Sequence, residues 1–393
     1  MRRRWWATGC LAILVVATAT SCLVPTGSAH LLYPFLDAPD PAIEQLPGGI
    51  QVYTTSSPDG NGGVRVVPTF STAFPNVSPF GLKDALSVAP SWGVGVVWAP
   101  TVRYVAGRYL MMYSVLRPNG PACIGAAESD QVNGPFVPVP ASTFRICDSN
   151  SAVGSLDPQL YREGNQTWLL WSRQKGSQAT ADSEIVIQKL TANGLALTGP
   201  RSTLVTFAQA WVASPTTTGT NPFVEHPALV KDPYNGYNLL VSLGDWKESN
   251  YRTVEIPCLE KDGNCIPSEG ENISALMGGG GDGKGGAALM YDYSPDGNVM
   301  AFHQYINGNI GQGQPRFAFA QATASLNQNP SMALSEPGAQ LGDDPERATP
   351  EPSIEDLRKR ALPKQRPRDF SAGPIHRPTN RTPMVDLWPL TSN

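Results

Sequence analysis

The sequence predicts an all-β fold, a five-bladed β-propeller, on three observations. A strand–turn–strand phrase recurs along the chain. It recurs at a long, nearly fixed spacing. The composition suits short strands joined by many turns. The phrase is clearest over Ser155 to Arg173, SLDPQLYREGNQTWLLWSR. Asp157 precedes a proline, and a short apolar strand, a polar turn and an aromatic-rich strand from Trp168 to Trp171 follow. Proline lacks a backbone donor and favours the first residue of a strand, so Asp157 is held at a strand mouth where its carboxylate can face a cavity.

Asp40-Pro41-Ala42-Ile43 leads in the same way to IQVYTTS, Ala99-Pro100-Thr101-Val102 to RYLMMYS, and His226-Pro227-Ala228-Leu229 to YNLLVS. A weaker copy, Gly286-Ala287-Ala288-Leu289, leads to NVMAFH. Counted from Asp40, Trp98, Asp157, Glu225 and Gly285, the spacings are 58, 59, 68 and 60 residues. Such a period marks a repeat architecture, and propeller blades run to about 40–50 residues; the excess here is room for loops. Only 16% of residues are charged, against 38 glycines, 37 prolines and 9 tryptophans, which leaves little sequence for long helices. A net charge of −4 gives no footprint for nucleic acid or an anionic membrane surface. The chain is expected to act as a monomer.

Residues 1–29 read as a secretory signal peptide: a basic head, Arg2 to Arg4, an apolar run, Leu11 to Ala19, too short to span a bilayer, and small residues Gly27-Ser28-Ala29 before a cleavage point. Lipidation at Cys22 is the less favoured alternative. Export implies an oxidising compartment. Cys123, Cys147, Cys258 and Cys265 then allow three pairings, of which Cys123–Cys147 with Cys258–Cys265 is the simplest.

The propeller is expected over residues 30–326. Asp40 is either a turn-capping aspartate or, by its recurring register, a channel acid. Residues 54 to 80 read as a long loop or irregular outer strands. Trp98 either stacks on a sugar or packs between blades. Glu184 to Lys189 is a strand, GLALTGPRSTLV a hairpin ending its blade, and Trp211 the start of a loop. Glu225 lies between Val224 and His226-Pro227 rather than in a charged run. Partial burial raises a carboxylate's pKa, the setting a general acid needs. His226 reads as a pocket-wall or hydrogen-bonding residue. GGGGDGKGG, residues 278–286, lacks phosphate-loop spacing and reads as a flexible loop at a blade mouth. His303 ends a strand, and Arg316 lines the pocket or sits solvated at an edge. From about Asn327 apolar periodicity vanishes, so residues 327–393 are expected to be disordered.

The ordered phrases DPAI at 40, WAPTV at 98, CIGAAES at 123, LDPQLY at 156, VEHPAL at 224 and AFHQY at 301 resemble the five-bladed glycoside hydrolases of family 43, the arabinanase, arabinofuranosidase and xylosidase group. The resemblance covers residues 36 to 325. It implies Asp40 as general base, Glu225 as general acid and Asp157 as the residue that orients the acid and modulates its pKa. His303 matches a histidine found near a metal ion, Ca2+ in the channel being the candidate, with no cofactor required. Trp98, His226 and Arg316 are the candidate substrate-binding residues. Glu225-His226-Pro227 departs from the family's Glu-Gly-Pro, and Thr101 stands where an aspartate is usual. The added histidine narrows or reshapes the sugar subsite.

The expected activity is inverting hydrolysis of arabinose- or xylose-type linkages in a polysaccharide or oligosaccharide. One alternative is a non-catalytic carbohydrate-binding propeller with Trp98, Trp168 and Trp171 as stacking surfaces. Another is a phosphorylase, for which Arg103, Arg173 and Arg316 are the basic residues at hand.

Overall fold

A computed structural model describes residues 22–326, apart from 34–36, 59–62, 74–78, 149–152, 176–181, 214–222, 233–235, 275–276, 278–281, 295–296, 307 and 312–313. The expected tail, 327–393, and most of the expected leader lie outside the described residues.

Five antiparallel blades form. Blade 1 runs outward through Ala42–Leu46, Gly49–Tyr53, Pro68–Thr72 and Phe80–Asp84. Blade 2 has Val94–Val105, Arg108–Leu116 and Ala122–Ser129, with short outer strands Val137–Pro138 and Ile146–Cys147. Blade 3 has Gly154–Glu163, Gln166–Lys175, Asp182–Leu190 and Leu197–Thr206. Blade 4 has Val224–Asp232, Gly236–Leu243 and Arg252–Glu260, edged by Gly263–Cys265 and Glu271–Asn272. Blade 5 has Asp282–Ser294, Gly297–Tyr305 and Phe317–Leu326, and Cys22–Leu31 pairs with the last of these as its outer strand. Each inner strand packs on the next, and that of blade 5 packs on that of blade 1, so the ring closes around a central channel.

The apolar runs of the second strands explain the stacking. Successive side chains of a strand point to opposite faces, and here both faces are covered. On blade 2, Met111 and Tyr113 pack toward blade 1, beside Ala42, Tyr53 and Val67, while Leu110 and Met112 pack toward blade 3, beside Leu160, Leu169 and Trp171. Leu170 faces blade 4, joining Leu229, Leu239 and Val254. Leu240 joins Met300 and Phe302 between blades 4 and 5, and Ile43 and Val52 join Val299 and Ala301 between blades 5 and 1. A core lies between every pair of neighbouring blades. Both local disulfides form, Cys123–Cys147 and Cys258–Cys265, each tying a third strand to a short outer one.

Several local expectations change. The stretch after residue 54 contains a full third strand, Pro68–Thr72. GLALTGPRSTLV is one strand rather than a hairpin, and Trp211 lies in a short helix, Phe207–Ala213. Residues 282–286 of the glycine run belong to the inner strand of blade 5 and not to a loop. Cys22–Leu31 includes eight residues that the sequence assigns to the leader. Among the described residues, no helix is long and apolar enough to cross a membrane.

Candidate active site

The repeat carries a backbone device at the channel mouth. Asp40, Ala99, Asp157, His226 and Gly286 all have positive φ, 51°, 47°, 54°, 51° and 61°. A non-glycine residue there is strained by about 1–3 kcal/mol and persists only where its surroundings hold it. Where the inner strand already runs, its register with the second strand shifts at this point, between Trp98 and Thr101, Leu156 and Gln159, Glu225 and Ala228, and Gly285 and Ala288. Such a bulge re-aims a side chain. The equivalent residues are therefore Ala99, His226 and Gly286, not Trp98, Glu225 and Gly285. The corrected spacings are 59, 58, 69 and 60 residues, and Glu225 enters the channel one residue ahead of the repeated position.

A ring of ties between blades holds these residues. Thr55 Oγ1 accepts the Ala99 N–H at 2.9 Å, Ser114 Oγ that of Asp157 at 2.9 Å, and Ser242 Oγ that of Gly286 at 2.9 Å. Ser172 Oγ donates to the Val224 carbonyl at 2.9 Å. His303 closes the circle: its Nδ1 accepts the Asp40 N–H at 3.0 Å. These groups end the five copies of the apolar phrase (YTT, MYS, LWS, LVS, AFH). A Cβ on Gly286 would lie 2.6 Å from His303 Nδ1, so glycine is required beside this closure.

The channel gathers Asp40, Asp157 and Glu225, whose charges act on one another. Glu225 is buried; its Oε1 accepts from Tyr251 Oη at 3.0 Å and its Oε2 from Gln174 Nε2 at 3.3 Å. Burial pushes its pKa up to about 8, aided by the charges of Asp40 and Asp245 and opposed by the Tyr251 hydrogen bond and by Arg316. Asp157, also buried, is raised by burial and by Glu225 and Asp40, although it accepts the backbone N–H of His226. Asp40 goes the other way. Burial opposes its ionisation, but the neighbouring His303, Arg316 and His226 hold the carboxyl below the usual range. Its side chain keeps 15% exposure, and Thr55 Oγ1 donates to its Oδ2 at 2.9 Å.

His226 and His303 are buried, and burial lowers both pKa values, that of His226 to about 4. Both rings are therefore neutral near pH 7, and the Nε2 of each has no hydrogen-bond partner among the described residues. Arg316 is half-buried, its guanidinium 4.6 Å from the Trp246 ring and its charge acting on Asp40 and Glu225. It is not a solvated edge residue. Trp98 is 9% exposed and packs with Ala122 and Leu156, while Trp168 and Trp171 lie in the cores between blades. The three tryptophans thus leave no stacking platform at the surface. Arg103 bonds Glu44 at 2.8 Å and Arg173 pairs with Asp148 and Glu184, so neither joins Arg316 in a phosphate pocket. Thr101 donates to Gln159 Oε1 at 2.9 Å and ties blade 2 to blade 3.

Calcium takes about six to eight oxygen ligands. Among the described residues no group of three or more His, Cys, Asp or Glu is placed to hold a metal ion. His303 offers one nitrogen, so these side chains do not themselves make such a cage. A cavity of about 430 Å³ lies further along the inner strands, toward the opposite mouth, lined by Glu44, Arg103, Gln159 and Arg162 among others. It is separate from the acids.

Tyr251, Gln174, Thr55 and Asp245 are missing from the sequence-based site. The hydroxyl ending four of the five apolar phrases is the signal that marks Thr55. Tyr251 and Asp245 lie between the second and third strands of blade 4, outside the recurring phrase, so the repeat does not point to them.

The model of the family described as "Glycosyl hydrolases family 43" matches residues 36–322. The chain belongs to glycosyl hydrolase family 43. It is a glycosidase with the family's propeller. A solved thermostable family-43 glycoside hydrolase is 16% identical, with 80% of this chain and 99% of that one covered and a TM-score of 0.61. An endo-arabinase from Bacteroides thetaiotaomicron is 20% identical over 75% and 97% of the two chains, TM-score 0.58. An endo-1,4-beta-xylanase from the same organism is 18% identical over 76% and 97%, TM-score 0.55. At these identities the likeness is one of fold. No curated protein sequence matches the chain.

Proposed function

We propose that this family-43 glycosidase is secreted and cleaves arabinose- or xylose-type linkages with inversion, Asp40 serving as base and Glu225 as acid. The observation that carries the reading is the divergence of two carboxyls in one channel. Glu225 is pushed up to about 8 and holds a proton at neutral pH, whereas Asp40 is held low and ionised. Pairs of titratable groups driven apart by their surroundings identify acid and base. Inversion needs a base that activates water on one face of the sugar while an acid protonates the leaving oxygen on the other. Asp40 comes from blade 1 and Glu225 from blade 4, which suits that division. Asp157 lies beside Glu225, shares its burial and accepts the His226 N–H next to the acid, which suits a residue that orients Glu225. The neighbouring endo-arabinase and endo-1,4-beta-xylanase folds favour pentose polymers as substrate.

Asp40→Asn and Glu225→Gln should each lower turnover on arabinan or xylan oligosaccharides by at least about 10²-fold, as expected for loss of a general acid or base. Circular dichroism should show both variants folded. Full activity in either variant rejects its assignment.

A further inference from the structure

The acid has a buried hydrogen-bond donor, Tyr251. The Tyr251 ring is buried and stacks on His303, centroids 5.8 Å apart and planes 9° from parallel. Gly285 makes room for it, since any side chain there would overlap the ring. Tyr251 Oη lies 3.0 Å from Glu225 Oε1 and also hydrogen-bonds Ser242. Ser242 Oγ in turn accepts the Gly286 N–H at 2.9 Å. A backbone N–H is only ever a donor. Ser242 takes the Gly286 hydrogen on one lone pair and keeps its own hydrogen for Tyr251 Oη. Tyr251 Oη donates to Glu225 Oε1.

We propose that Tyr251 is a positioning residue for the acid: its hydroxyl, backed by Ser242, reserves Glu225 Oε1 as an acceptor and so places the transferable proton on Oε2. The proposal rests on Glu225 being the general acid. In the reaction the Oε2–H bond breaks and its proton goes to the glycosidic oxygen. The bond from that oxygen to the anomeric carbon breaks with its electron pair left on the oxygen, and water deprotonated by Asp40 takes the open position. Glu225 is left as a carboxylate. The Tyr251 hydrogen bond strengthens as that charge develops, because bonds to ionised acceptors are the stronger ones. The longer Gln174 contact, 3.3 Å to Oε2, faces the oxygen that reacts.

The test uses the full chain with Tyr251→Phe, Ser242→Ala and Glu225→Gln. Xylobiose and arabinobiose serve as poor-leaving-group probes, and the matching 4-nitrophenyl glycosides as activated ones. Tyr251→Phe should lower kcat on the disaccharide about tenfold, the worth of one charge-assisted hydrogen bond, with KM little changed. The loss should shrink on the nitrophenyl glycoside, which needs less help from an acid. The high-pH limb of kcat should move upward, because the carboxylate has lost a donor. A purely structural role would move neither the limb nor the leaving-group dependence. Ser242→Ala, which deletes one hydroxyl, should shift both in the same direction by less, and it carries the test if Tyr251→Phe does not fold. Wild-type kcat and limb in the folded tyrosine and serine variants, with Glu225→Gln inactive, overturn the proposal alone. Turnover in Glu225→Gln overturns the acid assignment instead.

Discussion

Glu225 and Asp40 show how two carboxyls in one channel are driven toward opposite charge states. Glu225 loses water, gains like charges nearby and keeps its proton, while Asp40 gains cationic and polar neighbours and loses it. The pH profile follows with its sign. Activity needs Glu225 protonated, so kcat/KM should fall as pH rises through about 8. Activity also needs Asp40 ionised, so the acid limb should lie below the range where an ordinary aspartate titrates, near 3.8. The three carboxyls interact, so these limbs belong to the coupled set rather than to single residues. A high-pH limb near 4.5 would contradict the burial of Glu225. At this scale the sequence marks Asp40 and Asp157, each directly before a proline at a strand mouth. It misplaces Glu225 by one position because backbone conformation, not residue type, defines the repeat: His226 takes the left-handed turn and Glu225 precedes it. Nothing in residue identity foretells that Tyr251, which lies outside the recurring phrase, reaches Glu225.

At the scale of the element, the working unit is a bulge in one blade tied to a hydroxyl of the blade before. Positive φ at Asp157 aims its carboxylate inward, and Ser114 satisfies the buried N–H that the bulge frees from the ladder. A buried donor left without an acceptor costs about 1–3 kcal/mol. Ser114→Ala should therefore lower the urea midpoint by that amount of free energy at unchanged slope, and reduce turnover as Asp157 loosens. Unchanged stability would mean that the tie is idle. This unit was half legible. Proline and the apolar run announce the strands, and the serine or threonine ending each run hints at the tie. The closure at His303 departs from the hydroxyl rule, and only the structure shows that its Nδ1 takes the serine's place. The glycine run misleads because glycine signals a loop in sequence, whereas Gly285 and Gly286 are strand residues whose small size admits Tyr251 and His303.

For the whole molecule, blade number and order were readable from the period, since five phrases imply five inner strands. Outer strands were not, because edge positions tolerate polar and irregular sequence: the third strand of blade 1 hides in a stretch rich in Ser, Thr and Pro. The outer strand of blade 5 comes from the other end of the chain, Cys22–Leu31, a long-range pairing that no local pattern reports. Ring closure brings blades 1, 3 and 4 to one channel, and with them Asp40, Asp157 and Glu225. The most direct measurement is proton NMR of the first product released from arabino- or xylo-oligosaccharides, read before mutarotation. The account predicts that the new reducing end appears with inverted anomeric configuration. A product that first appears with retained configuration would contradict it.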